Sequence, residues 1–184
     1  MKLFSLIVFI FITIFSYSAY ALKEFSGEYG DRNYRLYIPS NPDHKMLSLV
    51  IMLHGCEQSA TDFAVSSHIL NYAEKENFAV LLPDQSKVYN PFKCWNWIVP
   101  FNNSRFGEPE LIINILEQVI SQYEIDKTRV FAAGMSAGGA MASILGNCYP
   151  EKFKAIASHD GVQFYPTYTG ADFLTVVLNG ASVP

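Results

Sequence analysis

Apolar residues recur along this chain with two periods, and the periods alternate. From Asn33 to Ile38, Tyr34, Leu36 and Ile38 fall on one face, a period-two strand closed by Pro39. Asn41-Pro42-Asp43 supplies turn chemistry. Leu47 to Leu53 is an unbroken apolar run, as a strand covered on both faces requires. Ala60 to Glu76 has helical spacing, and Phe78 to Leu82 is a second apolar run stopped by Pro83. Residues 86 to 107 form a long aromatic loop. Glu108 to Tyr123 is the clearest helix: Pro109 sits near its first position, and Glu108 and Glu110 lie in its first turn. Leu111, Ile112, Ile115, Leu116, Val119 and Ile120 make its apolar stripe. A strand at Arg129 to Ala133, a small-residue helix at Ala137 to Cys148 and a strand at Ala155 to Ser158 follow, with a short helix expected at Asp172 to Leu178. Strands alternating with helices predict an α/β fold with a mostly parallel sheet and helices on both faces.

The first 21 residues have a different pattern. Met1-Lys2 gives a positive start, Leu3 to Phe15 is almost wholly apolar, and Ala19-Tyr20-Ala21 closes the segment as an A-x-A cleavage site. This predicts a signal peptide over 1–21, a mature domain over 22–184 and a secreted protein, extracellular or periplasmic. The alternative is an uncleaved anchor, but the run is short for a span of roughly 20 residues. No stable membrane association is expected after cleavage.

Half of the sequence is hydrophobic, so the chain can build a core. The net charge of −4, without a basic stripe or Lys/Arg run, excludes a nucleic-acid binder. Cys56, Cys94 and Cys148 match no zinc or redox spacing and allow at most one internal bridge.

Gly134-Met135-Ser136-Ala137-Gly138 matches G-x-S-x-G between a strand and a helix, where a nucleophile elbow must sit. The turn is tight enough that its flanking positions tolerate little beyond hydrogen. Ser136 is the candidate nucleophile, and the helix start at Ala137 points free N–H groups and a positive dipole end at the same spot. An ordinary glycine-rich turn is the competing reading. His54-Gly55-Cys56 follows the Leu47 to Leu53 strand, and in an α/β-hydrolase that loop supplies half of the oxyanion hole. Backbone N–H groups near Cys56 and at Ala137 are the candidate donors. His54 is a candidate substrate-binding residue; a catalytic base or an inert loop histidine are its other readings.

Further pieces identify the sequence more closely. They are Tyr34-Arg35-Leu36-Tyr37-Ile38-Pro39, Val50 to Gln58 with its H-G-C-x-Q, Leu82-Pro83-Asp84-Gln85, Cys94-Trp95-Asn96-Trp97 and Gly107-Glu108-Pro109, leading to Arg129-Val130-Phe131 and the elbow. Together they resemble the poly(3-hydroxybutyrate) depolymerase-like esterases, secreted α/β-hydrolases related to feruloyl and acetyl-xylan esterases. The resemblance runs from about Tyr34 to about Gly161. It implies the α/β-hydrolase fold, ester cleavage through an acyl-enzyme on Ser136 and an ester substrate, polymeric or not. It implies no metal and no organic cofactor. It also implies a Cys56–Cys94 bridge with Cys148 free, two reduced thiols being the alternative, and an acyl- or polymer-binding wall at Trp95 and Trp97, against simple loop packing.

One expectation of the family is not met. The base and its acid follow the serine in this fold, acid first. Of His44, His54, His68 and His159, only His159 follows Ser136, within a His-x-Gly pattern that resembles a structural piece of the family. Asp160 and Asp172 are weak candidates for the acid. The C-terminal strands that carry the acid and histidine are therefore expected to be missing. A fragment of a full-length esterase, an inactive remnant and a non-catalytic secreted binding protein are the three explanations.

Overall fold

The computed structural model describes residues 19–40 and 46–164. The expected helix at Asp172 to Leu178 and most of the leader segment lie outside the described residues. Six strands form one sheet: β1 (Ala19–Gly27), β2 (Gly30–Ile38), β3 (Leu47–Leu53), β4 (Ala79–Pro83), β5 (Ile125–Met135) and β6 (Ala155–His159). Their order across the sheet is β1-β2-β4-β3-β5-β6. β1 and β2 are antiparallel, β2 meets β4 antiparallel, and β4, β3, β5 and β6 run parallel. The expected mostly parallel α/β-hydrolase sheet is the observed one.

Strand alternation sorts the core into two layers. Tyr34, Leu36, Leu49, Ile51, Leu53, Leu81, Val130 and Ala132 face one side. There α3 (Glu108–Gln122) and α4 (Ala137–Cys148) pack with Leu111, Ile112, Ile115, Leu116, Met141 and Leu145. Tyr37, Met52, Val80 and Leu82 face the other side. There α1 (Ala60–Ser67) and α2 (Ile69–Glu76) bring Ala60, Phe63, Ala64 and Ala73. All five residues of β4 are buried, because helices cover both of its faces.

Three details differ from the sequence reading. The helix expected over Ala60 to Glu76 breaks at His68, which is left-handed at φ 54°. The hydroxyls of Ser66 and Ser67 turn back to the Phe63 carbonyl at 3.4 and 2.6 Å and compete with the helical ladder just before the break. β5 is longer than expected, starting at Ile125. β1 was not anticipated at all: it begins at Ala19, inside the expected leader, and its segment Leu22–Gly27 pairs with Gly30 to Arg35. An edge strand that sets Phe25 against the core and leaves Leu22, Glu24 and Ser26 exposed carries little periodic signal.

The topology also locates a crevice. From β3 the chain moves outward to β4, then returns past β3 to β5. β3 and β5 are neighbours whose connections leave in opposite directions. The space beyond their carboxyl ends is the switch point where open α/β sheets bind ligands.

α1 starts in a capping box. Ser59 Oγ accepts the Asp62 N–H (3.1 Å), and Asp62 Oδ2 accepts the Ser59 N–H (2.9 Å). The Ser59 hydroxyl, then its backbone N–H, hold the Asp62 carboxyl below its usual value. A depressed folded pKa contributes stability above the unfolded value, lost as pH falls through the folded one. NMR titration should find Asp62 below about 3.9, and Ser59→Ala should return it towards that reference. An unchanged Asp62 titration in Ser59→Ala would contradict the box.

Candidate active site

The elbow is built by close approach. A Cβ on Gly134 would lie 2.2 Å from Gly138 O, and one on Gly138 would lie 2.1 Å from Leu53 O. Neither position admits a side chain. Between them Ser136 takes φ 55° and ψ −120°, a strained conformation for a residue with a Cβ. Its N–H donates to the His159 carbonyl (2.9 Å), and its carbonyl accepts the Ala140 N–H (3.0 Å). The side chain stands exposed at the end of β5. Ser136 Oγ makes no hydrogen bond among the described residues.

Register places the H-G-C loop beside this elbow. Leu53 pairs with Gly134, and a Cβ on Gly55 would lie 3.5 Å from Met135 O. Ala137 opens α4, so its N–H has no intrahelical acceptor. In the loop, the Gly55 N–H donates to Gln58 Oε1 (2.9 Å), the Glu57 N–H to Phe92 O (2.7 Å) and the Gln58 N–H to Gly55 O (3.4 Å). The Cys56 N–H has no acceptor among the described residues. The two backbone donors anticipated at Cys56 and Ala137 are thus uncommitted and lie on adjacent segments.

His54 departs from expectation. Its ring is fully buried, so it is not a substrate-binding surface. Nε2 accepts the Gln85 N–H at 2.9 Å, closer than Asp84 Oδ1 at 3.4 Å. A backbone N–H can only donate, so Nε2 presents its lone pair and the ring proton sits on Nδ1, 2.7 Å from Gly55 O. Both ring nitrogens are consumed inside the protein, which also removes His54 as a base.

Trp95 and Trp97 are also buried. At 1% and 5% exposure they belong to the core. Trp95 Nε1 donates to the His54 carbonyl (3.1 Å), so this ring supports the loop from behind. The two rings back a cavity of about 240 Å³ whose outer wall includes the exposed Phe92. The residues that do flank the elbow are Met52, Phe63, Met135, Ala157 and His159, around an apolar cavity of about 470 Å³. Of these, the sequence singled out only His159; Met52, Phe63, Met135 and Ala157 were given no role, and the end-of-strand position of Met52 and Met135 was the available signal.

Cys56 and Cys94 are bonded, with Cα atoms 4.2 Å apart, and Cys148 is free. The bridge spans 38 positions and contributes on the order of 4 kcal/mol by chain entropy. Burial pushes the Cys148 thiol up.

A buried carboxylate that sequence reading passed over ties the loops together. Glu108 Oε1 accepts from Arg32 Nη2 (3.1 Å), Asn96 Nδ2 (2.8 Å) and Gln85 Nε2, and Oε2 accepts the Asn96 N–H (2.7 Å). Gln85 Nε2 also donates to the Cys94 carbonyl (3.1 Å). The L-P-D-Q, C-W-N-W and G-E-P pieces therefore meet at one group.

His159 contributes its carbonyl to the elbow while its ring, 75% exposed, lies 3.2 Å from Asp160 Oδ2. His68 sits at the α1–α2 break, and His44 and Asp172 lie outside the described residues. Among the described residues, no group of three or more His, Cys, Asp or Glu is placed to hold a metal ion.

The family model described as esterase PHB depolymerase matches residues 32–183. The chain belongs to that family. Poly(3-hydroxyalkanoate) depolymerase C of Paucimonas lemoignei is 30% identical over 152 residues, covering 80% of this chain and 36% of the relative. A probable acetylxylan esterase A of Aspergillus fumigatus is 30% identical over 131 residues, covering 69% and 34%. Among solved structures, an acetyl xylan esterase from Aspergillus awamori superposes with TM-score 0.71 at 24% identity, covering 81% of this chain and 55% of that one. The last likeness shows the fold. The chain spans about a third of the length of the two curated relatives and just over half of the solved one.

In peptide maps made without reduction, the Cys56 and Cys94 peptides should be joined and Cys148 should alkylate after unfolding. A crosslink from Cys148 to either partner would contradict this pairing.

Proposed function

We propose that this esterase-family protein is a serine carboxylic ester hydrolase with Ser136 as its nucleophile. The observation that carries the reading is the strained positive φ of Ser136, held between two glycines where no Cβ fits. Such strain persists only where surrounding packing fixes it, and here it presents a hydroxyl at the crevice. The Ser136 oxygen attacks the ester carbonyl, and negative charge develops on the carbonyl oxygen. The Cys56 and Ala137 N–H groups are the proposed hydrogen-bond donors to that oxygen, each worth roughly 3 kcal/mol of barrier. The apolar cavity beside Met52, Phe63 and Met135 suits a short acyl chain. This favours poly- or oligo-3-hydroxybutyrate esters, in keeping with the depolymerase relative, over feruloyl or acetyl esters of plant polysaccharide.

The proton on Ser136 needs a base within hydrogen-bond reach. His54, His68 and His159 do not hydrogen-bond the Ser136 hydroxyl in this structure. We place the base and its acid in the part of the family's length that this chain does not span. The 184-residue chain should hydrolyse p-nitrophenyl butyrate at trace rates only. Joining it to the C-terminal part of a full-length relative should restore turnover that Ser136→Ala lowers by at least ~10³-fold. Equal hydrolysis with Ser136→Ala in the joined protein would defeat the serine reading. Ordinary rates from the 184-residue chain alone would instead make His159, the histidine that follows Ser136, the base.

We also propose export with cleavage after Ala21, on the strength of the N-terminal pattern and the Cys56–Cys94 bridge, which an oxidising compartment preserves. Pairing of Leu22 to Gly27 with β2 would survive the cut. Sequencing of exported protein should begin Leu22-Lys23-Glu24; an intact Met1 on exported material would count against it.

A further inference from the structure

We propose that His54 is a positioning residue: it sets the direction of the Cys56 N–H by clamping the Gly55–Cys56 peptide plane, and Gln85 and Glu108 hold it in place. The inference rests on the proposed oxyanion role of Cys56. A trans peptide unit is planar, with its N–H pointing opposite to its C=O. Whatever fixes the Gly55 carbonyl therefore fixes the Cys56 N–H. The His54 Nδ1–H donates to that carbonyl at 2.7 Å. The ring cannot turn away, because Nε2 is held by the Gln85 N–H at 2.9 Å and no part of the ring is exposed.

The flanking groups close off other orientations. The His54 carbonyl is taken by Trp95 Nε1 at 3.1 Å, and the Gly55 N–H by Gln58 Oε1 at 2.9 Å. The Glu57 N–H reaches Phe92 O at 2.7 Å, and the Cys56 sulfur is bonded to Cys94. Of the four N–H groups from Gly55 to Gln58, only that of Cys56 lacks an acceptor among the described residues. A loop that satisfies the neighbouring donors and leaves one without an acceptor is preorganised for an incoming one. The hydrogen bond on Gly55 O also polarises the same peptide and strengthens its N–H as a donor. Gln85 carries the clamp into the buried network, since its side chain donates to Glu108 Oε1 and to Cys94 O.

Two substitutions separate positioning from mere support. Asn at 54 keeps an amide donor near the Nδ1 position but cannot reach Gln85. Gln at 54 can accept the Gln85 N–H but gives up the donor to Gly55 O. The decisive measurement is the residual dipolar coupling of the Cys56 N–H in the ¹⁵N-labelled 184-residue protein, with the couplings of β3 and β5 as the internal frame. His54→Gln should change the Cys56 coupling, and His54→Asn should largely preserve it. Trace hydrolysis of p-nitrophenyl butyrate, which oxyanion donors support even without a triad, should fall about tenfold in His54→Gln. It should fall no more than about threefold in His54→Asn, with the half-saturating ester concentration unchanged within about twofold in both. If His54→Gln does not fold, Glu108→Gln is the substitute, and it should move the same coupling by loosening the far end of the clamp. A Cys56 coupling unmoved in the folded His54→Gln or Glu108→Gln protein overturns the inference, as do equal rate losses in the Gln and Asn variants of His54. If the wild-type chain shows no hydrolysis above buffer, the rates are compared in the protein joined to a relative's C-terminal part, and the coupling in the 184-residue protein still decides the clamp.

Discussion

The site depends on one contact that leaves no room for a carbon atom. α4 approaches the end of β3 so closely that a Cβ on Gly138 would strike the carbonyls of Leu53 and His54. Two features follow. The strand-to-helix turn must be tight, which forces Ser136 to φ 55° and lifts its hydroxyl out of the sheet. The first turn of α4 must lie beside the end of β3, where the H-G-C loop begins. Two further glycines of α4 are also confined: Gly139 and Gly146 meet Gly161 and Ile156 at distances that exclude a methyl group without a shift. The elbow and the glycines that flank it are consequences of one steric limit.

The H-G-C loop has a second anchor of a different kind. Arg32 and Glu108 form a buried ion pair, and a buried pair by itself is weak evidence of stability. What distinguishes this one is its reach. Its carboxylate gathers β2 through Arg32, the end of β4 through Gln85 and the long loop through Asn96. Removing one partner leaves an uncompensated buried charge, at about 3–5 kcal/mol for pairs of this type. The disulfide then transfers that fixation from Cys94 to Cys56. A loop of roughly twenty residues with little regular structure can hold a catalytic segment because its polar groups converge on one buried acceptor.

These two anchors explain what was legible in the sequence. β3 and α4 were placed to the residue because unbroken apolar runs and small-residue helices have few alternatives. The elbow was legible because sterics demand glycine at two fixed spacings. The Cys56–Cys94 pairing came from resemblance to a family, since three cysteines alone allow three pairings. The roles of Gln85, Asn96 and Glu108 were not legible, although each stood in a quoted motif. A charged residue in a helix's first turn reads as a dipole partner, and nothing local says that Arg32, 76 positions away, is buried against it. For Trp95 and Trp97 the sequence left a binding wall and loop packing open, because aromatic residues in a loop read either way until the loop is known to fold over the sheet. β1 escaped because one inward residue in an edge strand gives no period.

The misreading of His54 has the widest consequence. A histidine next to a serine's oxyanion loop invites a chemical role, and its position in the sequence cannot distinguish base, ligand and brace. The distinction lies in what its two nitrogens touch. A base must offer a lone pair to the nucleophile's proton; here the lone pair on Nε2 is spent on the Gln85 N–H, and the proton on Nδ1 is spent on Gly55 O. Such a residue gains its value from having no chemistry left to do. Proton transfer needs a group that can change partners, whereas an oxyanion donor works best when it need not reorganise as charge develops. The fold assigns those opposite demands to different places. Fixed groups sit behind β3, locked to a buried carboxylate, while Ser136 stands exposed on the crevice side, its hydroxyl without a partner among the described residues.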